Sequence, residues 1–130
     1  MKLNVLLGIA AIYMAIVGLG LIFAPQIIGR GAVPADAPAE LIAYLRVFGS
    51  PFLGIAVLDW TARNAEPSPA RDSIILGNII GFTAIALLDI WGLLGGARQL
   101  TKVFAIIHLF FAIAFIWAGR MSISTRARAG

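Results

Sequence analysis

One feature constrains this chain more than any other: an uncharged apolar run, Val5 to Ala24, followed by three further long apolar stretches. A run of roughly 20 such residues, rising 1.5 Å each, covers a hydrocarbon core about 30 Å thick. Lipid offers no partner to backbone N–H and C=O groups, so each run is expected to be helical. The expected helices lie near 4–24, 40–62, 70–94 and 102–119. The expected fold is all-α, a four-helix transmembrane antiparallel bundle forming one domain over 1–119. A basic tail over 120–130 is expected to be cytoplasmic and disordered.

Composition points the same way. The 130 residues are 61% hydrophobic and 12% charged, against about 25% charged in a soluble domain. A water-soluble chain of this size has too much surface to hide that much apolar side chain. Lys2 ahead of an apolar run has the outline of a signal peptide, but signal cores are shorter, about 7–15 residues, and no convincing A-x-A site follows. An uncleaved first helix is expected.

Breakers divide the runs. Pro25 stops the first helix, and a loop containing Gly29, Gly31, Pro34 and Pro38 follows. Ala37-Pro38-Ala39-Glu40 has proline and an acid where a helix begins. The second segment carries Arg46, Pro51 and Asp59, so a re-entrant hairpin is its alternative. Ser68-Pro69 reads as N-cap and first residue of the third helix, Gly95-Gly96 as its stop, and Thr101 as the N-cap of the fourth. With the N-terminus inside, Lys2, Arg63, Arg71, Arg120, Arg126 and Arg128 face the cytoplasm, against Arg30, Arg98 and Lys102 outside. That bias predicts that both termini lie on the cytoplasmic side of a cell membrane.

Other chemistries are thinned by what is missing. There is no cysteine, hence no disulfide, thiolate site or CxxC, and a single histidine, His108. The net charge of +4 comes from residues at the ends of apolar runs, so topology explains it and nucleic acid is not an expected partner. No catalytic residue, metal or cofactor is expected.

Polar residues within the spans need a partner or a purpose, since each costs roughly 2.5–3.5 kcal/mol on insertion scales. Arg46, Asp89 and His108 fall at one depth, about 9–10 Å below the outer boundary. As a functional cluster, Arg46 would hold an anion while Asp89 and His108 share a proton. As a structural one, Arg46 pairs with Asp89 and His108 bonds a neighbour. A secondary polar group comprises Asp59 and Arg63, at i and i+4, and Asn78, which shares a face of the third helix with Asp89. That shared face would line a water-filled path or form a packing seam. Gly77-Asn78-Ile79-Ile80-Gly81 fits GxxxG, and Gly8, Ala11, Ala15 and Gly18 form a similar small-residue face. Phe104, Phe111 and Phe115 lie along the His108 stripe, where an aromatic row packs, faces lipid, or lines a pigment slot.

At Leu45-Arg46-Val47-Phe48-Gly49, through Gly54 to Trp60-Thr61-Ala62-Arg63, the chain resembles small four-helix bacterial membrane proteins of unknown function, including DoxX-like families. The pattern is Arg-x-x-Gly, a second Gly, an aromatic and a closing Arg, and the resemblance covers about Tyr44 to Trp117. It implies a four-helix inner-membrane bundle and no defined chemistry. Members tied to thiol redox systems act through partners, so no catalytic residue carries over. Small multidrug transporters, with an essential Glu in the first helix, quinone-linked disulfide-forming enzymes, with a CxxC, and fluoride channels, with an early Gly-rich, Arg-containing motif, fit the residues less well. The expected function is that of a non-enzymatic accessory or assembly subunit. It would contact lipid, copies of itself or a larger membrane complex. The alternative is a small-molecule or proton-coupled transporter using Arg46, Asp89 and His108.

Overall fold

A computed structural model describes the backbone of residues 1–127 and the side chains of residues 1–120. Within it the chain is all-helical: α1 (Leu3–Phe23), α2 (Pro25–Ile28), α3 (Ala39–Ala62), α4 (Pro69–Leu94) and α5 (Leu100–Ala127). Four of these are long and apolar enough to cross a membrane, over Leu3–Phe23, Ala39–Ala62, Pro69–Leu94 and Leu100–Arg120.

Local chemistry sets the boundaries. Ser68 Oγ accepts the Arg71 N–H at 3.3 Å, with Pro69 in the first turn of α4, as the Ser-Pro pair implies. At the other end of α4, Gly96 takes φ +85, its N–H bonds the Leu93 carbonyl, and Ala97 N–H bonds the Gly92 carbonyl. These two bonds make a complete Schellman motif, and the positive φ explains the glycine. Pro38 contributes the carbonyl that accepts the Ile42 N–H, so it stands at the cap of α3 rather than inside it.

Three details differ from the sequence expectations, and one alternative is removed. The loop after Pro25 opens with the single turn α2, whose Ile28 packs against Gly20; a side chain at Gly20 would collide with it. α3 passes through Pro51 unbroken, which removes the re-entrant alternative. Thr101 is not a cap, because α5 begins at Leu100 and the Thr101 N–H already bonds the Arg98 carbonyl. Finally, α5 does not stop at Gly119 but continues to Ala127. Residues such as Met121, Ile123 and Arg126 sustain a helix where small and polar composition suggested a free tail; 128–130 lie outside the described residues.

The chain separates into two compact units, Gly8–Thr61 and Met1–Leu7 with Ala62–Gly130. In the first, α1 and α3 cross at two glycines. A Cβ on Gly18 would lie 3.0 Å from the Gly49 carbonyl oxygen, and one on Gly49 would lie 2.7 Å from that of Gly18. Only glycine lets the backbones come this close. Beyond the crossing, Ala11, Ile12 and Ala15 face Leu53, Ala56, Val57 and Trp60 across an open apolar groove of about 420 Å³.

In the second unit, α4 and α5 pack as an antiparallel hairpin. Asp89 meets His108, Phe82 meets Phe111 and Phe115, and Ile75 lies against Gly119. The buried α4 residues Ile75, Asn78, Phe82 and Ala86 recur at the three- and four-residue spacing of a single helix face.

Candidate functional site

The α4–α5 hairpin carries a carboxylate–imidazole ion pair. His108 Nδ1 and Asp89 Oδ2 are 2.6 Å apart, with side chains 10% and 19% exposed. An ionised carboxylate only accepts, so Nδ1–H is then the donor. The separation is short even for a charge-assisted bond, and burial strengthens it.

Helical geometry brings the two groups together. Asp89 lies seven residues after Phe82, on the face that α4 turns to α5. His108 lies three and seven residues before Phe111 and Phe115, on the face α5 returns. The Phe82 ring stacks on Phe111 at 4.5 Å and on Phe115 at 5.8 Å. Phe82 and Phe115 are completely buried. On the other side of the pair, Phe104 stacks on His108 at 6.1 Å, and the Arg98 guanidinium sits 5.9 Å from the Phe104 ring centre. The site is therefore a carboxylate–imidazole pair between aromatic layers, with the Arg98 cation beyond Phe104 at the end nearest the α4–α5 turn.

Of the expected Arg46, Asp89 and His108 cluster, the structure joins Asp89 and His108. Arg46 belongs to the other unit, and its side chain is exposed. The ion-pair partner found for Asp89 is thus His108. The depth estimate placed all three residues in one layer, but depth says nothing about which way a helix is rotated.

Of the secondary polar residues, Asp59 and Arg63 stand at the end of α3 and Asn78 on α4. Asp59 is fully buried near the end of α3, and Arg63 lies half-buried in the turn that follows. Thr61, beside them, spends its hydroxyl on the Val57 and Leu58 carbonyls. Asn78 is buried on the inward face of α4, as expected from its register with Asp89, and its Nδ2 donates to the Ile74 carbonyl at 3.0 Å. On the face between Asn78 and Asp89 stands Phe82, 0% exposed.

Phe82 was not singled out from sequence, although its spacing from Asn78 and Asp89 placed it on their face. Thr83 also escaped notice. Its hydroxyl is buried and makes no hydrogen bond in the structure, and nothing in the sequence distinguishes it. Among the described residues no group of three or more His, Asp or Glu side chains could hold a metal. The groove between α1 and α3 has an almost wholly apolar lining, so it lacks polar groups to orient a polar substrate.

The chain matches no protein-family model, and neither curated proteins nor solved structures offer a match.

Proposed function

We propose that this chain is a multi-pass integral membrane protein that acts as an accessory or assembly subunit. Its four long helices span a cell membrane, a bacterial inner membrane, as an antiparallel bundle with both termini in the cytoplasm. The carrying observation is the large apolar side chains exposed along the long helices while three polar side chains are buried. Asp59, Asn78 and His108 are buried, while Ile16, Val47, Leu87, Leu88, Ile106 and Ile113 stand exposed along the long helices. Water would oppose that arrangement, and hydrocarbon favours it.

The accessory role is supported by α4. Gly77 and Gly81 are exposed, and a Cβ on either would meet nothing within 4 Å. Such a face admits another helix at close range, and close packing is the main attraction available between helices in lipid.

Because the chain has no cysteine, single cysteines report this directly. Gly77→Cys should give one defined cross-linked species in membranes, with another copy or with one partner. Ile106→Cys, on an exposed face of α5, should not. Equal, diffuse cross-linking from both positions would sink the accessory reading.

A second reading, proton-coupled or small-molecule transport, is favoured by the buried Asp89–His108 pair. Reconstituted protein would then carry a flux that Asp89→Asn abolishes without unfolding the chain.

A further inference from the structure

We propose that two copies of this chain pair along α3, with Glu40 of each copy bonded to Arg46 of the other across a two-fold axis. The inference rests on the membrane reading and deepens the accessory reading by naming a partner. It concerns α3, not the glycine face of α4.

Glu40 and Arg46 are both exposed, and among the described residues neither side chain takes part in a hydrogen bond or an ion pair. They are poorly placed to satisfy each other within one helix. Six residues apart, they stand about 120° apart around the axis, unlike pairs at three or four residues. Arg46 comes seven residues after Ala39, the first residue of a helix long and apolar enough to cross a membrane. A cation at that depth is costly unless an anion meets it.

Between the two charges runs a seam. Ala43, Val47, Ser50, Gly54 and Val57 follow one another at spacings of four and three, and all are exposed. That spacing keeps one helix face turned toward a neighbour. Ala43, Ser50 and Gly54 are small, and a Cβ on Gly54 would meet nothing within 4 Å, so a second backbone can come close. Gly49, Ala56 and Asp59, on the opposite side of α3, are buried.

Symmetry selects a second copy as the occupant. Copies inserted alike run α3 in the same direction, so a two-fold axis along the membrane normal relates them. Glu40 lies about 60° to one side of the seam and Arg46 about 60° to the other. Half a turn about the axis sets the Glu40 flank of one helix beside the Arg46 flank of the other, twice. Arg46 stands about 9 Å further along the helix than Glu40, and helical side chains lean toward the N-terminus. The long arginine therefore reaches back toward the carboxylate. A lipid phosphate would meet Arg46 alone and leave Glu40 beside a like charge.

The chain has no cysteine, so single cysteines read the interface in phosphatidylcholine liposomes holding the full chain at low density. Under mild oxidation Ser50→Cys should give one species of twice the chain mass. Phe48→Cys, exposed on a different side of α3, should give at least several-fold less. In the Ser50→Cys chain, Glu40→Arg alone and Arg46→Glu alone should each reduce the dimer at least several-fold. These two charge variants reconstituted together should cross-link again, because the mixed pair sets opposite charges in both gaps. That rescue guards against misfolding, since neither chain can repair the fold of the other. Equal cross-linking from positions 48 and 50, indifference to the single charge changes, or no rescue on mixing overturns the interface. If Gly77→Cys still gives its defined species in that event, the accessory reading stands. Loss of the chain from membranes at alkaline pH overturns both.

Discussion

Asp89 and His108 each solve the other's burial problem. Without His108 the Asp89 carboxylate would lose its hydrogen-bond partner with only 19% of its side chain exposed, and loss of one partner of a buried pair costs about 3–5 kcal/mol. His108→Ala should therefore destabilise the protein strongly. Asp89→Ala should cost less, because a neutral imidazole tolerates burial better than a carboxylate does. The double substitution should recover part of the first loss. Chemical unfolding in detergent micelles, arranged as a double-mutant cycle, should show a coupling within about 0.5–3 kcal/mol. Strict additivity of the two single changes would show that the contact contributes nothing. A cycle between Arg46 and Asp89 should show the weaker coupling of the two, since Arg46 is exposed.

At the level of elements, the glycines sort into two kinds that sequence alone does not separate. Gly49 sits where α1 and α3 touch, and an added methyl would meet the Gly18 carbonyl at 2.7 Å and Ile22 Cγ1 at 2.9 Å. Backbone cannot yield as a flexible side chain can, so Gly49→Ala should lower stability by about 1–3 kcal/mol. Gly77 meets nothing within 4 Å. There the better helix propensity of alanine should leave stability unchanged or raise it by up to about 1 kcal/mol. Thermal unfolding of the two purified variants tests the contrast, and a loss at Gly77 equal to that at Gly49 would refute it. The small-residue faces of the first and third apolar runs looked equivalent in sequence. One packs inside its own unit, while the other is exposed.

For the molecule as a whole, the exposed apolar surface is the main physical fact. An α5 of 28 residues rises about 42 Å at 1.5 Å per residue, more than the roughly 30 Å of a hydrocarbon core. If the chain spans a bilayer, the end of α5 must project beyond the core, and the Arg120–Ala127 stretch suits a cytoplasmic headgroup layer. Reporter fusions at Gly130 should read cytoplasmic, and fusions in the loop between Gly29 and Asp36 should read external. The reverse pattern would overturn the orientation, and loss of the chain from membranes at alkaline pH would overturn insertion itself.

The number of long helices, their type and most of their boundaries followed from the sequence by itself, because they depend on local quantities. Apolar length decides whether a segment can span, and caps such as Ser68-Pro69 and Gly95-Gly96 act within a few residues of themselves. The common depth of Asp89 and His108 was equally legible, since rise per residue is constant. Tertiary structure alone decided which faces meet. It selected His108 as the partner of Asp89, set Phe82 between Asn78 and the pair, drew Gly18 onto Gly49 and left Gly77 exposed. The reason is rotational: residue spacing fixes a side chain's height along its own axis, but only packing against a neighbour fixes the direction in which that side chain points.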